Sequence, residues 1–183
     1  MSTSSRNILL GFTLFAGGLL LGWLASHIFS TARDVPTIAI YDDWRLACPS
    51  AAQKKLSCVL DQNVIDNKTR ARVANLRLVQ GDKGSVLVVT APYNVLLRPG
   101  LGLAFGDAKP RIYPFITCNG EGCVVQIPVD DALRASLRQE PQARLLFANM
   151  NKQTVQVSFS LRGFKRADDV ARRFESKLWW LGA

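Results

Sequence analysis

The chain has 183 residues, 48% of them hydrophobic, and a formal net charge of +9. That is room for one domain core plus short appendages, with the apolar share of an ordinary globular protein once the hydrophobic start is discounted. The single histidine, His27, lies in that start, so the rest of the chain lacks the commonest general base and metal ligand, and its Lys and Arg are dispersed without the aromatic-basic pattern of a nucleic-acid module.

Residues 1–7 form a short N-terminus whose charged side chain, Arg6, is the only one before residue 33. The uncharged run 8–29 would reach about 33 Å as a helix, enough to cross a hydrocarbon core of about 30 Å. It exceeds the roughly 7–15 apolar residues of a secretory leader, which predicts a retained signal anchor, with Ser30-Thr31-Ala32 as the alternative cleavage site. Gly18 and Gly22 are spaced for close approach of another helix, and Trp23 and His27 fall toward the outer interface. A linker, 30–37, leads into a β-domain expected over 38–165. From residue 33 onward the net charge is +8, a field suited to anionic lipid, lipopolysaccharide or acidic protein surfaces.

Within that domain Ile38, Ile40 and Tyr41 open an apolar run, and Trp44 is expected in the core. Val73, Leu76 and Leu78, a glycine-containing turn and Val86-Leu87-Val88-Val89 predict a hairpin, its second arm covered on both faces as at a sandwich centre. From 93 to 123, short apolar runs alternate with Pro99-Gly100, Gly106-Asp107 and Asn119-Gly120, the pattern of short strands joined by tight turns. Gly100 and Gly102 are expected to turn the backbone: Phe105 stands where a phosphate loop needs its third glycine, and no helix follows.

Asp130 and Asp131 before Ala132-Leu133, with Leu137 beyond, predict a short helix with acids at its positive end. Leu145-Leu146-Phe147 and the alternating Val155, Val157, Phe159 and Leu161 bracket a turn, which predicts a last hairpin. Residues 166–183 are assigned to a C-terminal amphipathic helix, helical over 168–181. Val170, Phe174 and Leu178 lie on one side of it, Arg172, Arg173 and Lys177 beyond, and Trp179-Trp180 at its end. Such a helix packs on the β-domain or lies at a membrane surface.

Cys118 and Cys123 flank Asn-Gly-Glu-Gly, and facing positions on a hairpin lie about 5.5 Å apart, within disulfide reach. Cys48 and Cys58 would close a second short loop. Their spacing fits no zinc knuckle and no histidine is at hand, which leaves two local disulfides, with free buried thiols as the alternative. Disulfides would place the domain in an oxidising compartment.

The succession Asp43-Trp44, Cys48, Cys58, 92–103 (PYNVLLRPGLGL), Pro114-Phe115-x-x-Cys118, Gly122-Cys123, Asp130-Asp131-Ala132-Leu133 and Ser160-Leu161-x-Gly163-Phe164 resembles the invasion-associated locus B family over 41–164. The resemblance implies an exported all-β domain of Gram-negative bacteria with no established catalytic residues. The expectation is thus a single, mainly β, sandwich-like domain with two short-range disulfides, an N-terminal transmembrane helix and a C-terminal amphipathic helix. It would be an inner-membrane, single-pass protein with its domain in the periplasm, without catalytic, metal or cofactor sites, and not an enzyme. One reading of its function is a binding or envelope protein that engages anionic envelope or host components. The other is an accessory subunit of an inner-membrane complex, docking through Gly18, Gly22, Trp23, Arg172, Arg173, Lys177, Trp179 and Trp180.

Overall fold

The structure is a computed structural model that describes residues 36–50, 53, 57–66, 69–81 and 84–180. A hairpin of β1 (Thr37–Tyr41) and β2 (Trp44–Cys48) opens it, and β3 (Val59–Ile65), β4 (Arg72–Gly81) and β5 (Gly84–Ala91) continue the meander. Next come β6 (Leu101–Phe105), β7 (Arg111–Tyr113), β8 (Phe115–Asn119) and β9 (Gly122–Pro128). Helix α1 (Asp131–Gln139), β10 (Gln142–Ala148), β11 (Thr154–Ser160) and helix α2 (Phe164–Trp180) complete the order. The strands form a seven-stranded sheet, β1-β2-β3-β4-β5-β9-β8, and a four-stranded sheet, β11-β10-β6-β7. Every pairing is antiparallel.

One core joins the sheets, because alternate residues of each strand point inward. Leu60, Leu76, Leu87 and Val125 of the larger sheet share it with Leu101, Leu103, Leu145 and Phe159 of the smaller. The two-faced burial expected of Val86-Leu87-Val88-Val89 does not hold. Leu87 and Val89 are buried, whereas Val86 and Val88 are half-buried on the outer face, where they neighbour Pro128 and Gln126 of β9. An apolar run reports β-propensity as well as burial, and here the second layer covers one face only.

Both cysteine pairs are disulfides, Cys48–Cys58 and Cys118–Cys123. The second joins facing residues of the β8–β9 hairpin, one step from the turn. Its Cα atoms are 3.9 Å apart, closer than the expected spacing, because the non-hydrogen-bonded positions of an antiparallel ladder are the narrow ones. Gly122, at φ 142°, could carry no side chain: a Cβ would stand 2.1 Å from the Ala91 carbonyl oxygen.

Among the described residues no helix is long and apolar enough to cross a membrane. The transmembrane helix expected over 8–29, with Gly18, Gly22 and Trp23, lies outside the described residues. Among the described residues the fold class is corrected to a mainly β domain with two disulfides and two helices, neither of which can span a membrane.

The C-terminal helix also differs from its expected form. It starts at Phe164 rather than Asp168, and its buried residues are Phe164, Ala167, Asp168 and Ala171; of the expected apolar stripe, Phe174 packs against the core at its edge. Val170 is exposed and Phe174 half-buried. The hydrophobic pattern misses this seam because two alanines and an aspartate carry it. Trp44 is fully buried, stacks edge-on to Phe164 at 5.0 Å between ring centres and donates its Nε1 hydrogen to the Ser160 carbonyl at 3.1 Å.

Candidate functional site

At the end of the molecule where β4 turns into β5, the two helices meet the larger sheet. Asp130 caps α1 by accepting from the Leu133 amide at 2.7 Å, the role that Asp residues commonly take at a helix start. Leu133 and Leu137 anchor α1 in the core, which leaves Arg134 and Arg138, one turn apart, facing α2. Asp168 of α2 is 1% exposed and takes both guanidinium groups. Arg134 pairs with one carboxylate oxygen and Arg138 with the other, at 2.5 Å. Arg134 also donates to the Ser85 hydroxyl of β5, and Arg138 to Asp169 at 2.7 Å.

Burying a carboxylate is costly unless it is paired and fully hydrogen-bonded, and two guanidinium forks supply both. The hydrogen bond from Arg138 holds the Asp169 carboxyl below its usual range and raises the Arg138 guanidinium above its own. The network thus rivets α1, α2 and β5 together.

Two concavities adjoin it. A cleft of about 330 Å³ runs between the sheet and the helices, lined by Leu60, Leu78, Ser85, Arg134, Asp168, Arg172 and Glu175 among others. Burial there pushes the Glu175 carboxyl up, against the opposing pull of Arg134. A groove of about 360 Å³ across α1 and α2 is lined by Asp131, Arg134, Ala135, Arg138, Gln139, Lys165 and Arg172. In it Arg134 and Arg138 are answered by Asp168 and Asp169, while Lys165 and Arg172, two turns apart on α2, are exposed on the rim. That arrangement can hold an anionic group at the rim with two cations, in competition with the nearby acids Asp131, Asp169 beside Lys165 and Glu175 beside Arg172. Among the described residues no cluster of His, Cys, Asp or Glu could hold a metal ion.

Of the residues singled out from sequence, the four cysteines are in disulfides. Arg172 lines both concavities, and Arg173 is exposed on the same helix. Lys177, Trp179 and Trp180 fall in the final stretch of α2, where side chains lie outside what is described, as do Gly18, Gly22 and Trp23 altogether. Sequence reasoning missed Arg134, Arg138, Lys165 and the pairing role of Asp168. The available signal was two arginines four apart on one predicted helix and two adjacent acids on another.

The family model for invasion-associated locus B proteins matches residues 44–171. The chain belongs to the invasion-associated locus B family. The match runs from Trp44 through Ala171, so the Trp44–Phe164 contact and the Asp168 network lie inside the family domain. The fold agrees: the crystal structure of invasion associated protein B from Bartonella henselae is similar at a TM-score of 0.68 and 19% identity, covering 76% of this chain and 99% of that one. No curated protein matches the chain. Within this family domain the β-strands supply the frame, and the α1–α2 end supplies its charged concavities.

Proposed function

We propose that this invasion-associated locus B protein is an exported, periplasm-facing, non-enzymatic binding protein that engages an anionic component of the cell envelope through the groove between α1 and α2. The observation that carries the reading is the rim of that groove. Lys165 and Arg172 are exposed on a scaffold whose own arginines are already paired with Asp168 and Asp169, so an arriving carboxylate or phosphate meets these two rim cations. The basic balance of the chain adds long-range attraction, and the two disulfides suit an oxidising compartment.

Titrating the purified protein with lipopolysaccharide at low and high salt tests the reading. Binding that weakens steeply with salt, and weakens again in a Lys165→Gln/Arg172→Gln variant, is expected. Binding indifferent to both salt and the double substitution, or no binding, would count against it.

A further inference from the structure

The opposite end of the molecule is built from four loops joined to one another. The loop 92–100 is tied to the β10–β11 turn by the Leu96 amide on the Ala148 carbonyl at 2.8 Å, the Met150 amide on the Asn94 carbonyl at 3.2 Å and a bridge between Val95 and Asn149. The Tyr93 hydroxyl donates to the Asn119 carbonyl at the tip of the β8–β9 hairpin. Arg72, at the foot of the β3–β4 hairpin, donates to the Glu121 carbonyl of that same tip at 3.4 Å. The rim so formed is held by backbone contacts and braced by the Cys118–Cys123 disulfide.

This rim presents apolar side chains and cations together. Tyr93 is 60% exposed, Leu97 50% and Met150 63%, three large apolar side chains on neighbouring segments. Exposed cations Arg70, Arg72, Arg98 and Lys152 stand among them, against Asp66 and Glu121. The concavity described here, between Arg72, Val73, Thr90, Pro92, Tyr93 and Glu121, encloses only about 180 Å³, below the roughly 300–1,000 Å³ of a small-molecule pocket. A rim with scattered apolar tips and interspersed cations, rather than a groove, fits a planar partner that is apolar within and negatively charged at its surface. Tyrosine favours such an interface, and each basic residue near an anionic leaflet adds attraction.

The geometry points to this loop rim as a docking site for an anionic phospholipid surface, with Tyr93, Leu97 and Met150 inserting and Arg98 and Lys152 meeting headgroup phosphates. The site is separate from the α1–α2 groove and does not depend on the function proposed for it.

Hydrogen exchange of the full chain, read peptide by peptide, separates this contact from any made elsewhere in the protein. With phosphatidylglycerol-containing vesicles, slowed exchange is expected in 92–98 and 149–153, absent with phosphatidylcholine vesicles. A Leu97→Ser/Met150→Ser variant with an unchanged melting temperature should lose that local protection, and Arg98→Gln/Lys152→Gln should weaken it and make it insensitive to salt. Vesicle binding that leaves both loops unprotected would overturn the proposal, as would protection by both vesicle types alike or protection unaffected by the Leu97→Ser/Met150→Ser substitution. Loop protection seen only with a protein partner would overturn it too.

Discussion

The two ends of this domain use their charged residues in opposite ways. At the helical end, Asp168 is buried and clamped by Arg134 and Arg138, so charge there is spent on holding elements together. At the loop end Arg70, Arg98 and Lys152 are exposed beside Tyr93, Leu97 and Met150, and backbone hydrogen bonds hold the loops together. Substitutions at the first end should therefore read out in stability. Those at the second, and on the exposed rim of the α1–α2 groove, should read out in binding.

The largest effect that sharpens the contrast is expected from Asp168→Asn. It leaves Arg134 without a carboxylate and Arg138 with Asp169 alone, and losing one partner of a buried pair costs about 3 kcal/mol. Chemical denaturation checks it, and a loss below about 1 kcal/mol would mean the network is not the rivet described. Next come the disulfides. In the chain-entropy account a loop of 10 residues at Cys48–Cys58 contributes about 2.7 kcal/mol and one of 5 at Cys118–Cys123 about 2.1 kcal/mol. Paired Cys→Ser variants, compared by urea unfolding, should lose stability in that order.

A smaller effect concerns pH. Because burial raises Glu175, the folded chain binds its proton more tightly than the unfolded chain does. That contribution is fully present below the ordinary glutamate range and is lost as pH rises through the raised folded value. Glu175→Gln should therefore gain on the parent protein in melting temperature as pH goes from acid to neutral. Asp43 and Asp169 act in the other direction. Hydrogen bonds from Ser160 and Arg138, respectively, hold them low, so their contributions are present above the usual aspartate range and disappear as pH falls through the lowered values. Smallest of all, Leu97→Ser or Met150→Ser should change stability by no more than about 0.5 kcal/mol, as for exposed positions generally.

Much of the β frame was legible because period-two alternation and turn residues are local signals. The β4–β5 and β10–β11 hairpins, the short helix begun by Asp130 and Asp131, the Trp44 core position and both cysteine pairs could be read from neighbouring residues. The helical seam could not. Its inward face is two alanines, one phenylalanine and an aspartate, and an aspartate reads as solvent-facing unless the arginines that neutralise it, 30 and 34 residues away, are known to be beside it. The candidate groove was invisible for the same reason, since it exists only where two helices distant in sequence converge.

The division between a structural interior and a binding rim at the helical end is tested most directly by one paired measurement on Lys165→Gln/Arg172→Gln: the melting temperature and the lipopolysaccharide affinity of the same preparation. The account predicts an unchanged melting temperature with weakened, less salt-dependent binding. Unaltered affinity, or a loss of affinity matched by a loss of fold, would contradict it.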